Sequence, residues 1–297
     1  MLSEEIVTVS EEEFAQQALI NDIVEKIMAS SRFMSVATNQ MGKTNAIMLI
    51  MRAIMNHPKN VNGKWRMKAF DPAFNFRYKF DAIPCIDATE NATFTHQDGI
   101  TRIAVPPTEQ NIIVDIPYTN CSEKKRVIME VLKADFEYKR GLKKANKGIV
   151  PYQDFYIVDE MQNVWGNYAL RGRTGEEALT IFAESSNYLM AIIGLSQRFA
   201  DVATGIVERC AYYLVGALSG SNELKRLGNM VTNKKVVDKV KTLKRGEFVF
   251  VDKTNSEYFD TLVFDKFEPR GIPTSYVSPV VARTKNSSGF KSFRTFF

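Results

Sequence analysis

At 297 residues, with 45% hydrophobic and 25% charged residues, the chain can bury a sizeable core and has an ordinary globular composition, which excludes a fibrous or disordered class. Lys+Arg 39 against Asp+Glu 34 gives a net charge of +5, a mild excess that is compatible with nucleic acid without demanding it. The three cysteines, Cys85, Cys121 and Cys210, are far apart and odd in number, so neither a disulfide framework nor a zinc site is expected; the N-terminus is acidic, no apolar run reaches membrane-spanning length, and the chain reads as intracellular.

In chain order, Ser10 and Glu13 form a capping box, and Phe14, Leu19, Ile23, Val24 and Ile27 recur at helical spacing, predicting an amphipathic lead-in helix within residues 1–30. "RFMSVA" predicts a short buried strand, and "NAIMLIMRAIMN", apolar all round, a buried helix. "NHPKNVNGK" is a turn, and "WRMKAFDPAFNF" a strand ending at Asp71-Pro72. "ITRIAVPP" and "NIIVDIP" are two further strand candidates, followed by a helix from Asn120 to Lys144 with Val127, Val131, Leu132 and Phe136 on one side. "DFYIVDEMQNV" reads as a buried strand closing on two carboxylates, residues 176–189 as a helix, and "LMAIIGLSQRF" as a strand ending at Gln197. "IVERCAYYLVGAL" is a helix-to-strand step, and "EFVFVDK" with "FDTLVFDKF" a closing β pair. Strands alternating with helices predict an α/β fold, with a mostly parallel central sheet and helices on both faces. The core is expected over 31–265, and 266–297 as a C-terminal extension ending in a polar, basic, Phe-rich tail. His57 and His96 share no triad-like surroundings and are expected at the surface or in turns.

Between the first strand and its helix lies Ala37-Thr38-Asn39-Gln40-Met41-Gly42-Lys43-Thr44, which reads A-x-x-x-x-G-K-T where a phosphate-binding loop usually reads G-x-x-x-x-G-K-[ST]. The strand, loop, helix context is right. Thr38 to Asn45 would then cradle a nucleotide, with Lys43 on the β and γ oxygens and Thr44 on Mg²⁺. Ala37 is tolerable at the strand end if its φ stays negative. Downstream, Asp159 would hold Mg²⁺ and Glu160 would polarise the attacking water as general base. Gln197, at the end of another apolar strand, could sense the γ-phosphate or place that water; Arg198 could serve the same site or cap the next helix.

The order of these pieces, from the P-loop through "YIVDEMQNV" and "IIGLSQRFADVATGIVERCAYYLVGAL" to "LKRGEFVFVD", resembles the HerA/FtsK superfamily over roughly residues 30 to 255. The resemblance implies a RecA-like P-loop ATPase that uses ATP and Mg²⁺ and works as a ring, hexameric or pentameric, around double-stranded DNA. Lys43, Thr44, Asp159, Glu160 and Gln197 match its motifs. Size favours, within that group, a viral genome-packaging ATPase of the host cytoplasm or virion, partnered by a capsid or portal-vertex protein. Conjugation, plasmid and filamentous-phage assembly ATPases are the alternatives, as is a nucleotide-binding assembly protein with little turnover.

The chain departs from the pattern at Ala37, and again at "FAESSNYLM", where the superfamily usually carries an arginine that acts on the neighbouring subunit's ATP. Arg171 and Arg173 in "LRGRTG" are the replacement candidates, with Arg198 and Arg209 behind them. Residues 139–148, "KRGLKKANKG", and the basic tail are candidates for a grip on phosphates. No base-reading motif is visible, so that grip is expected to be independent of sequence.

Overall fold

The computed structural model describes residues 11–61, 64–72, 76, 85–87, 93–97, 100–104, 112–116, 120–231, 233–253 and 259–264. Its strands are β1 (Arg32–Val36), β2 (Trp65–Asp71), β3 (Cys85–Asp87), β4 (Thr93–Gln97), β5 (Ile100–Ala104), β6 (Ile112–Asp115), β7 (Gln153–Val158), β8 (Met190–Ser196), β9 (Tyr212–Val215), β10 (Glu247–Asp252) and β11 (Phe259–Val263). Nine of them form one sheet in the order β11-β10-β9-β1-β8-β7-β2-β6-β3. Every pairing from β9 to β3 is parallel, and the closing β10–β11 hairpin joins antiparallel to β9.

The helices are α1 (Glu11–Ser30), α2 (Lys43–Asn56), α3 (Cys121–Ala145), α4 (Gln162–Trp165), α5 (Arg173–Glu184), α6 (Thr204–Arg209), α7 (Ser221–Met230) and α8 (Lys234–Thr242). Side chains alternate across the central strands, so Phe155 and Ile157 of β7 pack with α1 and α2, while Tyr156 and Val158 pack with the layer built from α3 to α8. Both faces are therefore covered, which is why β1, β7 and β8 read as near-continuous apolar runs. Each fully buried Ile, Val or Phe in these runs contributes about 1.5–3 kcal/mol relative to exposure. Four residues of α1, Ile20, Ile23, Val24 and Ile27, are buried in the same cluster as α2.

Several expectations need correction. "ITRIAVPP" supplies the expected strand as β5, which pairs antiparallel with β4 in a separate two-stranded ribbon, and His96 lies in β4. His57 does end α2, yet it is only 5% exposed and stacks on Trp65 at 4.8 Å. The helix expected over 176–189 begins at Arg173 and gives way after Glu184 to a 3-10 turn, Ser185–Tyr188. Helices α7 and α8 and strands β3 and β4 were not legible as elements. Ser10, and the tail beyond Phe264, lie outside the described residues.

The basic stretch 139–148, a candidate phosphate grip, is only partly available for one. Lys139 is fully buried, donating to the Tyr152 and Leu189 carbonyls and pairing with Asp154 at 3.0 Å. It belongs to a buried ionic cluster in which Arg66 pairs with Asp154 at 2.8 Å, Lys68 pairs with Asp135, and the Tyr156 hydroxyl donates to Asp135 at 2.9 Å. Lys143 is held by the Asn187 carbonyl, and Arg140 pairs with Glu137. Lys144 and Lys147 remain exposed.

Candidate nucleotide-binding and hydrolysis site

The sheet order places β8 between β1 and β7, so the P-loop, Gln197 and the two carboxylates emerge side by side at the C-terminal ends of three adjacent parallel strands. In open α/β sheets that edge is where ligands bind.

The loop itself is built by left-handed backbone. Gly42 immediately precedes α2 with φ 92° and Gln40 sits at φ 65°; the glycine takes that region without a Cβ penalty, whereas Gln40 is strained there. Thr38 anchors the loop's entry, its N–H and hydroxyl both donating to the Ala217 carbonyl at 3.2 and 3.1 Å. The tip is held from the far side, where the Gly246 N–H donates to the Met41 carbonyl at 3.1 Å. Asn39 and Gln40 are exposed.

Ala37 keeps a negative φ, as the motif needed. It is fully buried, and its methyl lies where a Cβ on Gly216 of the neighbouring strand end would come within 2.6 Å. The missing loop glycine is thus matched by a glycine across from it.

Lys43 donates to the Ala37 carbonyl at 2.5 Å and to the Thr38 carbonyl at 3.4 Å. Burial lowers its pKa, while the Glu160 and Asp159 carboxylates oppose that shift, so the ammonium faces both acids across the site. These residues fit a Mg²⁺-nucleotide. The N-cap of the 14-residue α2 is Gly42, so no cap side chain stands at the helix N-terminus, where a phosphate would sit. Thr44, in that first turn, supplies a hydroxyl, and Asp159 a carboxylate that is 4% exposed.

Asp159 is fixed by the continuation of β7 on both sides. Its N–H donates to the Phe70 carbonyl of β2, and two residues on, the Met161 N–H donates to the Leu195 carbonyl of β8 at 2.8 Å. Met161 is buried against Gly194, where any Cβ would meet its sulfur at 2.3 Å. Between these anchors Glu160 is forced to φ 50°, a strained conformation for a residue with a side chain. Its N–H donates to Asp159 Oδ1 at 3.0 Å. Its own carboxylate accepts two amides: Gln197 Nε2 on Oε1 at 2.9 Å, and Gln162 Nε2 on Oε2.

The expected residues therefore divide. Lys43, Asp159, Glu160 and Gln197 come together through the contacts above, with Thr44 beside Lys43. The arginines do not join them within this chain: Arg171 lies over the Tyr168 ring at 4.8 Å, Arg173 is 91% exposed with Glu177 at 4.0 Å, and Arg198 and Arg209 are exposed. Ser185, where the superfamily's arginine was missed, is buried and donates to the Phe182 carbonyl. Two features escaped the sequence reading. The turn at Gly246, between α8 and β10, supports the P-loop, and "KRGE" was its only local signal. Gln162 was overlooked although it lies two residues beyond Glu160.

No protein-family profile matches the chain. None of the curated proteins matches it either. Among solved structures, the genome packaging NTPase B204 from Sulfolobus turreted icosahedral virus 2 in complex with ATP-gammaS is similar, with a TM-score of 0.54 at 15% identity over 78% of this chain and 97% of that one. The sulfate complex of the same NTPase gives 0.53 at 18% identity, covering 80% and 98%. VirB4 of Thermoanaerobacter pseudethanolicus gives 0.53 at 12% identity, covering 79% and 89%. The chain thus shares the α/β fold of these solved structures, with a mostly parallel sheet between two helical layers.

Proposed function

We propose that the protein is a Mg²⁺-dependent P-loop ATPase that drives double-stranded DNA through a ring of its own copies, packaging a viral genome. The observation that carries the reading is the convergence of Lys43, Asp159, Glu160 and Gln197 at adjacent strand ends, reached from separate parts of the chain. Lys43 and the first turn of α2 bind the phosphates, and Thr44 and Asp159 hold Mg²⁺, which neutralises phosphate charge. Glu160 accepts the proton of a water whose oxygen attacks the γ-phosphorus, and the bond to the β–γ bridging oxygen breaks to release ADP. Gln197 fixes one oxygen of that base.

The ring, of six or five copies, supplies Arg171 or Arg173 to the neighbouring site; both are exposed on or just after the loop that follows the carboxylates, so they are free to reach a second copy. DNA is gripped without regard to sequence, and a capsid or portal-vertex protein is the docking partner in the infected cell or virion. No helix among the described residues is long and apolar enough to cross a membrane.

A conjugation-type or filament-assembly ATPase is the second reading, kept by a TM-score of 0.53 to VirB4 against 0.54 to the packaging NTPase. ATP turnover by purified protein, with and without double-stranded DNA, tests the motor. Capture of a capsid component against a secretion component separates the two roles.

A further inference from the structure

Gln162 is held by one end only. Its amide nitrogen donates to Glu160 Oε2, while its amide oxygen is buried with no donor in reach. Turning the amide over would set its oxygen against the carboxylate, so the orientation is fixed by Glu160 alone. A buried acceptor without a donor costs about as much as a charge-assisted hydrogen bond supplies, and the two ends of this side chain pull against each other. Gln197 is different. It follows the fully paired strand β8, whereas Gln162 opens the four-residue α4, which runs directly into the exposed segment of Tyr168 and Arg171.

Gln162 also lines a cavity of about 440 Å³, whose wall includes Ser122, Lys125, Asn163 and Asn167. All four carry donors that a rotated Gln162 oxygen needs. Lys125 is partly committed, donating to the Ala169 carbonyl and to Thr174 Oγ1 at 3.1 Å, which ties the segment after α4 to α3.

We propose that Gln162 is a releasable clamp on the Glu160 carboxylate. In the clamped state one amide sits on each carboxylate oxygen. When Gln162 turns into the cavity, its own oxygen gains a donor and Glu160 Oε2 becomes free to take the proton of the attacking water. Gln162 acts through Glu160, on whose Oε2 its amide sits, and is a positioning residue. The proposal rests on the reading of Glu160 as general base.

The test uses the full chain and two variants, Gln162→Met, which keeps the length and packing of the side chain but donates nothing, and Gln162→Ala. Steady-state ATP turnover is measured across ATP concentrations without DNA. The expected result is a kcat raised three-fold or more with KM unchanged, in whichever variant folds. A glutamine that merely supports α4 would lower turnover and stability together on removal. A kcat equal to or below that of wild type in both variants overturns the clamp. If wild type binds ATP but shows no turnover, hydrolysis appearing in either variant supports it, and silence in both overturns it. The underlying ATPase reading fails separately, by Lys43→Ala binding nucleotide as tightly as wild type.

Discussion

Gln197 Nε2 donates to Glu160 Oε1 at 2.9 Å, joining residues that follow two neighbouring parallel strands. Glu160 is strained at φ 50°, so its side chain depends on such contacts for its direction. A hydrogen bond to a charged group is worth roughly 1.5–3 kcal/mol, and Gln197→Ala should therefore lower kcat about 10- to 100-fold. Nucleotide affinity, measured by titration with a non-hydrolysable analogue, should stay within about two-fold.

Lys43 and Glu160 should separate binding from chemistry. Lys43→Ala removes the ammonium that faces the phosphates and should weaken nucleotide binding. Glu160→Gln preserves shape and should leave binding intact while abolishing turnover. Calorimetric binding alongside steady-state hydrolysis checks both.

Ala37 and Gly216 should behave as a coupled pair. A methyl added at Gly216 would lie 2.6 Å from the Ala37 methyl and 3.0 Å from Phe248, so Gly216→Ala should destabilise the protein by about 1–3 kcal/mol. Ala37→Gly in the same chain should recover part of that loss. Urea unfolding of the two single variants and the double variant gives the interaction directly, and strict additivity would contradict the packing described.

Lys139 should leave a signature in the pH dependence of stability. Burial lowers its pKa to about 8, against the attraction of Asp154, from an ordinary value of 10.5. Between those two values the unfolded chain binds more protons than the native one, so this group makes stability rise with pH. Tyr152 opposes the trend only above pH 10, because burial raises its pKa from 10.0 to about 12. Cys210, whose pKa burial raises from 9.0 to about 12, acts alike in both proteins, so between pH 8 and 10 the unfolding free energy of wild type should gain on that of Lys139→Met by up to about 3 kcal/mol.

Arg171 and Arg173 should act between copies rather than within one. Each is exposed, so substitution by alanine should change stability by less than about 0.5 kcal/mol. In rings mixed from substituted and wild-type copies, loss of the trans-acting arginine should depress turnover more steeply than in proportion to the fraction of substituted copies. A rate proportional to the wild-type content removes that arginine from the site.

The parts of the site that were legible in the sequence are those where chemistry and local pattern coincide. Gly42-Lys43-Thr44 sits between a buried strand and a buried helix, and Asp159-Glu160 closes an apolar run. What stayed hidden depends on partners distant in sequence. β2 reads "WRMKAFD", which suggests one wet face, yet Arg66 and Lys68 are buried because Asp154 and Asp135 neutralise them. Ala37 is acceptable because of Gly216, on another strand's end. The polar spacing of α7 and α8 gave little signal, since each buries only two side chains.

The measurement that bears most directly on the central claim is ATP hydrolysis by purified wild type and Glu160→Gln, each with and without double-stranded DNA. Turnover by wild type that rises with DNA, and none by Glu160→Gln, is the result predicted for a DNA motor with Glu160 as its base. Equal turnover by the two proteins, or a wild-type rate indifferent to DNA, would contradict it.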